Sequence, residues 1–510
     1  MALHNRVRAV SVAITDATTS KLSRASSSYA SVLPLQEESE KPSFVVREAG
    51  ACRSVFVLNP NFNLEELKGF VSQLRAWRRN ESMNSVFITC PDDDIVCQDG
   101  RILPLSAQYK MSASVAKSTY LIRPNPYLEE DDHQRHVLLG FDPLATDEIF
   151  YNDILDKIGE ISEAMTDPSR KTPIITCPDG LVSDGGLVFL LGQYVLATPQ
   201  TSFRIDSPTR GLSLDPCGMS YILSRVGCDF EQEDAQKYAS TIAKILALTG
   251  YEADGYDMVA TGLATHFVES KHNIPLTETN LSEILPYKDQ GLLPKLPRSQ
   301  AQWIKDKKAY LETGDYPEDI SNRRFRNVAV HNLIETVSSG QAGRDDFFAG
   351  QQPITTASDD PFQENTDLSL GFDGGSLLID FAATFHHVFN KNSVHDIMEE
   401  LRDISNNKDE DEDIVKVSSL FLKGMEERSP VSLKAVHKLL DMANDSNATL
   451  TDCIAREKVV QKNLLEKEDF KNWFELTRAD STDLESVPSW KHKSVADISD
   501  DEIEELFYSN

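Results

Sequence analysis

Residues 173–226 of the chain read PIITCPDGLVSDGGLVFLLGQYVLATPQTSFRIDSPTRGLSLDPCGMSYILSRV. The stretch opens with a short β-prone apolar run, Ile174 to Thr176, and passes through a turn at Pro178-Asp179-Gly180 to a second turn at Asp184-Gly185-Gly186. The run that follows, Leu187 to Leu191, is apolar enough to be buried. This order predicts a strand, then a glycine turn, and then a helix that the turn opens.

A glycine turn between a strand and a helix suits an anionic ligand. The first N–H groups of a helix have no partner inside the helix, and they lie at the positive end of its dipole. Glycines at 185 and 186 would let a ligand approach the main chain closely. Such a site stabilises a phosphate, a carboxylate or a developing oxyanion. The alternative is an ordinary tight turn between two elements.

Composition restricts the classes of partner. The 510-residue chain carries a formal net charge of −30, with 40% hydrophobic and 26% charged residues. The hydrophobic content is that of a globular protein, whereas the charge repels phosphate backbones and anionic lipid heads. We therefore expect no nucleic-acid partner and no membrane surface, and no run reaches the roughly 18 apolar residues of a spanning helix. Homo-oligomerisation remains open.

Cysteine and histidine usage does not favour a metal centre. The seven cysteines stand at positions 52, 90, 97, 177, 217, 228 and 453. An odd number without C-x-x-C pairs argues against a disulfide framework and against zinc, so we expect reduced, mostly buried thiols. The neighbours His386 and His387 would point apart on a helix. We expect neither a metal nor a resident cofactor.

Two segments differ in composition from the rest of the chain. Residues 1–36 contain four basic residues, many Ser, Thr and Ala, and one acid, Asp16. This pattern is typical of a mitochondrial transit peptide, with a disordered tail or a plastid address as the alternatives. Residues 338–374 are rich in Gly, Ser, Asp, Gln and Pro, which predicts an inserted loop or linker.

Hydrophobic periodicity predicts a strand–helix–strand unit ahead of the glycine turn and helices behind it. The unit consists of a strand at Arg53–Leu58, an amphipathic helix at Leu64–Trp77 and a strand at Val86–Thr89. Further helical patterns cover residues 151–164, 232–250, 297–312, 394–403, 413–425, 432–443, 450–474 and 497–507. A serine cap is expected where the 432–443 helix begins.

Several short motifs follow one another along the chain. They are Gly192-Gln-Tyr-Val-Leu-Ala-Thr198, Phe203, Gly211-Leu212, Asp215 ahead of Cys217-Gly218, Leu246–Gly250, Gly262–Val268, Ser429–Lys434, Asp469-Phe470 and Pro488–Lys491. In their order and spacing they resemble the crotonase (enoyl-CoA hydratase/isomerase) superfamily, and within it the 3-hydroxyisobutyryl-CoA hydrolase branch. The resemblance implies an α/β fold: a crotonase-type spiral of ββα repeats over 50–310, followed by a helical C-terminal region over 375–508.

The resemblance also implies an oxyanion hole made of two backbone N–H groups. Gln98 occupies the place of the alanine in the family's Cys-Ala-Gly-Gly-Asp motif, and any residue except proline supplies an N–H group there. Gly185 matches the middle of the family's Gly-Gly-Gly, with Asp184 in the place of the first glycine. Gly186 is predicted to line the same site. For Gln98 the alternative is an ordinary polar loop.

In the hydrolase branch a glutamate and an aspartate act as nucleophile or base in thioester cleavage. Asp215 matches the aspartate, whereas Ser207 stands in the place of the glutamate with Asp206 directly before it. The resemblance therefore implies Asp215, Asp206 and Ser207 as catalytic residues. The alternatives are a turn ahead of Pro208 for Asp206, and a cap on a helix at 217–226 for Asp215.

Arginines near these positions are candidates for binding the phosphates of coenzyme A, which would enter as part of the substrate. They are Arg101, Arg204 and Arg210, each with solvated surface as its alternative.

Three functions fit the resemblance. The first is an acyl-CoA thioesterase similar to 3-hydroxyisobutyryl-CoA hydrolase, acting in valine catabolism in the mitochondrial matrix. The second is a relative that keeps the fold without catalysis and serves as a structural or interaction subunit, for example of a mitochondrial ribosome, although a charge of −30 suits RNA poorly. The third is hydration or isomerisation of an enoyl-CoA, whose glutamate pair is absent at Phe189 and Ser207. We favour the first, with the acyl group open.

Overall fold

A computed structural model describes the sheets, the helices that cover them and a C-terminal helical region. The described residues are 44–57, 64–80, 82–89, 95–96, 102–103, 136–137, 148–166, 172–226, 237–268, 273–284, 330, 333–334, 338, 376–445, 447–478 and 488–508. The predicted tail at 1–36, the predicted helix at 297–312 and, apart from Ser338, the predicted insertion at 338–374 lie outside them.

The larger sheet consists mainly of parallel strands. Its order is β1-β2-β3-β7-β9-β12, and β1 alone pairs antiparallel with its neighbour within this described sheet. The strands are β1 Phe44–Ala49, β2 Cys52–Val57, β3 Ser85–Thr89, β7 Ile174–Cys177, β9 Tyr194–Ala197 and β12 His266–Phe267. β3, β7 and β9 are buried along their whole length, as expected for parallel strands covered on both faces.

A second, smaller sheet contains the short strands that follow β7 and β9 along the chain. Its order is β11-β10-β8-β6, and β6, β8 and β10 run parallel. Its strands are β6 His136–Val137, β8 Leu181–Val182, β10 Ser202–Phe203 and β11 Ala253–Asp254. The strands β4 Ile95–Val96 and β5 Ile102–Leu103 lie outside both of these sheets. The chain thus passes from β7 in the larger sheet to β8 in the smaller one and then into a helix. β9 and β10 repeat the step, so the architecture is a spiral of ββα units.

Helices cover the sheets and form the whole described C-terminal region. They are α1 Leu64–Arg79, α2 Glu148–Thr166, α3 Met219–Leu223, α4 Ala239–Lys244, α5 Gly255–Thr261, α6 Asn273–Glu283, α7 Leu377–Thr384, α8 His386–Phe389, α9 Val394–Asn406, α10 Glu412–Glu426, α11 Pro430–Ala443, α12 Leu450–Leu465, α13 Glu468–Arg478 and α14 Asp500–Glu505. Short 3₁₀-helices lie at Asp184–Leu191, Ser207–Arg210 and Val495–Asp497, and a π-helix at Ile245–Thr249. Within the described residues no helix combines the length and the apolar character that crossing a bilayer requires.

The first predicted unit is confirmed with small shifts at its ends. Helix α1 buries Leu67, Phe70, Val71 and Leu74, which share one face at helical spacing. Arg78 is also buried at the end of this face, and its guanidinium donates to the Ala164 and Met165 carbonyls at the C-terminus of α2. The charge at the end of α1 therefore satisfies carbonyls that the last turn of α2 leaves without helical partners.

The predicted helix at 450–474 is wrong as one element, because the chain breaks between α12 and α13. A continuous helix would place the charged residues Glu468, Lys471 and Glu475 on the same face as buried Leu464. The break instead buries Phe470 and Trp473. The serine cap expected at 432 lies three residues earlier: the Ser429 hydroxyl accepts from the Ser432 N–H at the start of α11.

The four cysteines that the structure describes, Cys52, Cys177, Cys217 and Cys453, are free and buried, as predicted. Gly250, which ends the π-helix with φ of +72°, lies where the chain meets Arg428. A Cβ atom at this glycine would stand 1.6 Å from Arg428 Nη2, so the close approach requires glycine.

A buried carboxyl joins the spiral to the first helix of the C-terminal region. Asp257 of α5 accepts from Tyr251 Oη at 2.9 Å, from Ser376 Oγ at 2.5 Å and from the Leu378 N–H at 3.1 Å. Burial, together with the nearby charge of Asp254, raises the pKa of Asp257 to about 7. The start of α7 is therefore held by a group that titrates near neutrality.

This arrangement predicts a pH-dependent contribution to stability from Asp257. Because the folded protein holds this proton to a higher pH than the unfolded chain, the stabilisation is full at low pH and is lost as pH rises towards about 7. Asp257→Asn keeps a neutral side chain with an acceptor for Ser376 and Leu378. From about pH 5.5 to about pH 8 the parent should lose about 1–2 kcal/mol relative to this variant in chemical denaturation.

Asp403→Asn, at an exposed position of α9, is the matched control and should show no such divergence. A constant difference between parent and Asp257→Asn across this pH range would contradict the prediction.

Candidate functional site

Parallel pairing aligns the ends of strands that precede predicted site residues in the sequence. Thr89 of β3 pairs with Cys177 of β7, and Gly185 follows eight residues after Cys177. In the smaller sheet Val182 pairs with Phe203. Gly185 lies three residues after Val182, and Asp206 lies three residues after Phe203. The carboxyl ends of parallel strands open on one edge, which is where α/β folds bind ligands.

The glycine turn opens a helix, as predicted, but the helix is 3₁₀ rather than α. Ser183 precedes it in an extended conformation, and the Gly186 N–H donates to the Ser183 carbonyl at 2.9 Å. Gly185 is the second residue of this helix and Gly186 is buried. Gln98 and Arg101 lie outside the described residues. The pairing of the Gln98 and Gly185 N–H groups in one oxyanion hole therefore stays a prediction.

Arg204 lies in a buried ion cluster rather than on a solvated surface. Its Nε is 2.9 Å from Asp206 Oδ1, and its Nη1 is 3.0 Å from Glu252 Oε2. All three residues are at least nine-tenths buried. Asp206 begins a turn, because its carbonyl accepts from the Thr209 N–H at 2.9 Å, but its side chain makes no capping hydrogen bond to the 3₁₀-helix that follows. The catalytic role of Asp206 and the binding role of Arg204 stay predictions, and this geometry gives both side chains a structural task.

Ser207 begins the next 3₁₀-helix and is 1% exposed. The turn that it opens is enclosed by the C-terminal helices. The Ser429 N–H donates to the Pro208 carbonyl at 3.1 Å, and the Arg210 guanidinium lies 5.7 Å from the centre of the Trp473 ring. Arg210 is buried, so the solvated-surface alternative is wrong for this residue too. Gly211 closes the turn with φ of +76°, and a Cβ there would stand 2.7 Å from the Phe470 nitrogen.

Asp215 lies at the contact between the spiral and helix α12, and its side chain is fully buried. Gln461 Nε2 donates to Asp215 Oδ1 at 3.4 Å. The helix that Asp215 would cap in the alternative interpretation begins only at Met219, after Gly218. The N–H groups at the start of α3 have another acceptor.

That acceptor is Glu457, which the sequence did not reveal. Its Oε2 accepts from the Gly218 N–H at 2.7 Å, and its Oε1 accepts from both the N–H and the hydroxyl of Ser220 at 2.6 Å. Burial raises the pKa of Glu457 to about 7, opposed by these hydrogen bonds. Burial and the charges of Glu457 and Asp215 also raise the pKa of the Cys217 thiol. Both carboxyl groups therefore act on the same thiol.

One local signal for this cluster exists in the sequence. Glu457 and Gln461 are one helical turn apart, on the face that also carries the buried apolar residues Ile454, Val460 and Leu464. Polar side chains on an apolar face require buried partners. The pattern alone does not say where those partners lie.

Within the described residues, no three His, Cys, Asp or Glu side chains are grouped so that they could hold a metal ion. His386, considered above as one half of a histidine pair, has its Nδ1 2.8 Å from Thr241 Oγ1.

Residues 168–362 and 363–507 match the family model described as enoyl-CoA hydratase/isomerase. The chain belongs to this family. It is 24% identical over 339 residues to the 3-hydroxyisobutyryl-CoA hydrolase-like protein 5 of Arabidopsis thaliana, an alignment that covers 66% of this chain and 64% of that relative's length. It is 21% identical over 472 residues to the mitochondrial 3-hydroxyisobutyryl-CoA hydrolase of Mus musculus, covering 91% and 89% of the two chains.

Among solved structures the chain is similar to a carnitinyl-CoA dehydratase from Mycobacterium thermoresistibile. The TM-score is 0.52 at 15% identity, and the match covers 92% of this chain and 97% of that one. At this identity the likeness concerns the fold alone. The predicted α/β fold, a crotonase-type spiral followed by a helical C-terminal region, is confirmed.

The Arg204 cluster yields a stability prediction. Arg204→Met removes the cation and leaves the Asp206 and Glu252 carboxylates buried beside each other, so the free energy of unfolding should fall by about 3–5 kcal/mol. Arg402→Met is the matched control, because Arg402 also contacts two carboxylates, Glu399 and Glu426, but is 41% exposed. The control should change stability by at most about 1 kcal/mol. Urea denaturation of both variants measures the difference, and equal effects would refute it.

Proposed function

We propose that the protein is an acyl-CoA thioester hydrolase of the 3-hydroxyisobutyryl-CoA hydrolase type, acting in valine catabolism in the mitochondrial matrix. The observation that carries the proposal is Asp215, which stands at the aspartate position of the hydrolase branch and faces a hydrogen-bond donor on Gln461. The names of the relatives from Arabidopsis thaliana and Mus musculus support the same substrate class.

In the proposed reaction the N–H groups of Gln98 and Gly185 bind the thioester oxygen. They stabilise the oxyanion that forms when water attacks the carbonyl carbon, and losing one such donor typically lowers the rate by about 10²–10³-fold. The Asp215 carboxylate accepts a proton from the attacking water. A carbon–oxygen bond forms, the carbon–sulfur bond breaks, and the proton passes to the departing thiolate. Ser207 replaces the second carboxylate of the branch, so Asp215 is the sole base in this scheme.

A second candidate is a subunit that keeps the fold and has lost catalysis. Two observations favour it. Asp206 is neutralised by Arg204 in a buried ion pair, and the Asp215 side chain is 0% exposed in the described structure. Buried and paired carboxylates of this kind commonly hold a fold together. In that case the protein would act as a structural or interaction subunit, for example one associated with the mitochondrial ribosome.

Thiol release from a panel of acyl-CoA esters separates the two candidates. With the full chain, the proposal predicts release of free CoA, and Asp215→Asn should reduce kcat by at least about 10²-fold because the base is lost. Binding of the acyl-CoA, measured by calorimetry, should change by no more than about twofold, since the substitution is nearly isosteric.

Asp500→Asn, at a carboxylate whose side chain is 97% exposed, is the control and should turn over like the parent. Equal loss of binding and turnover in Asp215→Asn, or a parent that releases no thiol from any ester, would favour the second candidate.

A further inference from the structure

Helix α12 of the C-terminal region presents two buried polar side chains to the loop that carries Asp215. Gln461 contacts Ser213 and Asp215, and Glu457, one helical turn earlier, contacts Gly218 and Ser220. Glu457 and Gln461 are both 0% exposed. The loop therefore receives its polar partners from a helix that lies more than 230 residues further along the chain.

The orientation of the Gln461 amide is fixed by a group that can only donate. The Ser213 backbone N–H lies 2.8 Å from Gln461 Oε1, and a backbone N–H has no lone pair to offer an amide N–H₂ group. The Ser213 hydroxyl, at 2.9 Å, adds a second donor to the same oxygen. Gln461 Nε2 must consequently face Asp215 Oδ1. A donor in this position stabilises the ionised form of a carboxylate.

Two other titratable groups of the described structure share this contact. Glu457 and Asp215 both raise the pKa of the Cys217 thiol through their charges, and Cys217 precedes α3 on the same loop. Both oxygens of Glu457 already accept hydrogen bonds from Gly218 and Ser220, so Glu457 does not replace the missing second carboxylate of the site. Gln461 is thus the side chain of α12 that acts on Asp215 directly.

We propose that Gln461 is a positioning residue for Asp215: it orients the carboxylate and keeps it ionised, so that the C-terminal helical region completes the catalytic site. This inference rests on the proposed hydrolase function. It assigns α12 a task in the reaction besides packing against the spiral.

Gln461→Glu is the sharpest test. The new side chain keeps an oxygen towards Ser213 and replaces the donor beside Asp215 with a second carboxyl oxygen. The like charge should raise the pKa of Asp215, and the acid limb of the kcat–pH profile should move up by at least about one pH unit. At a pH on this displaced limb kcat should fall about tenfold, KM should stay within about twofold, and kcat should recover to the parental value on the plateau at higher pH.

Ala455→Glu is the control, because it adds the same charge to an exposed position of α12 and should leave the profile unchanged. Should Gln461→Glu fail to fold, Gln461→Met removes the donor without adding charge and should move the acid limb in the same direction. An acid limb that coincides with that of the parent, or a loss of kcat that is equal at every pH, overturns the inference and leaves the hydrolase function standing. A parent without turnover on any acyl-CoA overturns both.

Discussion

The polar contact between the 204–220 loop and the C-terminal helices is the constraint on which the rest of the structure depends. This loop is buried, so those of its N–H and C=O groups that are not paired within the loop need partners from elsewhere in the fold. Partners come from the link between α10 and α11 and from α12. In the link, the Arg428 guanidinium donates to the Ile205 carbonyl and the Ser429 N–H donates to the Pro208 carbonyl. Glu457 of α12 accepts from the Gly218 N–H. The spiral and the C-terminal region therefore cannot fold as independent units without exposing this loop.

The same contact gives the two predicted catalytic carboxylates, Asp206 and Asp215, different partners. Asp206 is enclosed by Arg204 and shares that cation with Glu252, whereas Asp215 faces the neutral amide of Gln461. A carboxylate beside a neutral amide accepts a proton more readily than a carboxylate paired with a buried guanidinium. In the proposed hydrolase, Ser207 stands in the place of the family's glutamate next to this ion cluster, and Asp215 is the base.

The sequence predicted local structure well where one segment determines it. The strand, glycine turn and helix at 174–191 follow from patterns of apolar residues and glycine over fewer than twenty positions, and α1 follows from its apolar face. The sequence did not reveal whether a charged residue is buried. Arg204 resembles any surface arginine until β10 and β11 bring Glu252 beside it. Asp215 resembled a helix cap because the true acceptor, Glu457, is 239 residues from Gly218 and no local pattern connects the two.

That long separation bears on how the chain acquires its structure during synthesis. A ribosome adds roughly 5–20 residues per second, so Gly218 and Ser220 wait roughly 10–50 seconds before Glu457 is made. Throughout that interval the first turn of α3 lacks its acceptor, and the apolar surface beneath α12 stays open to water. The spiral therefore completes this contact only after the last helices arrive.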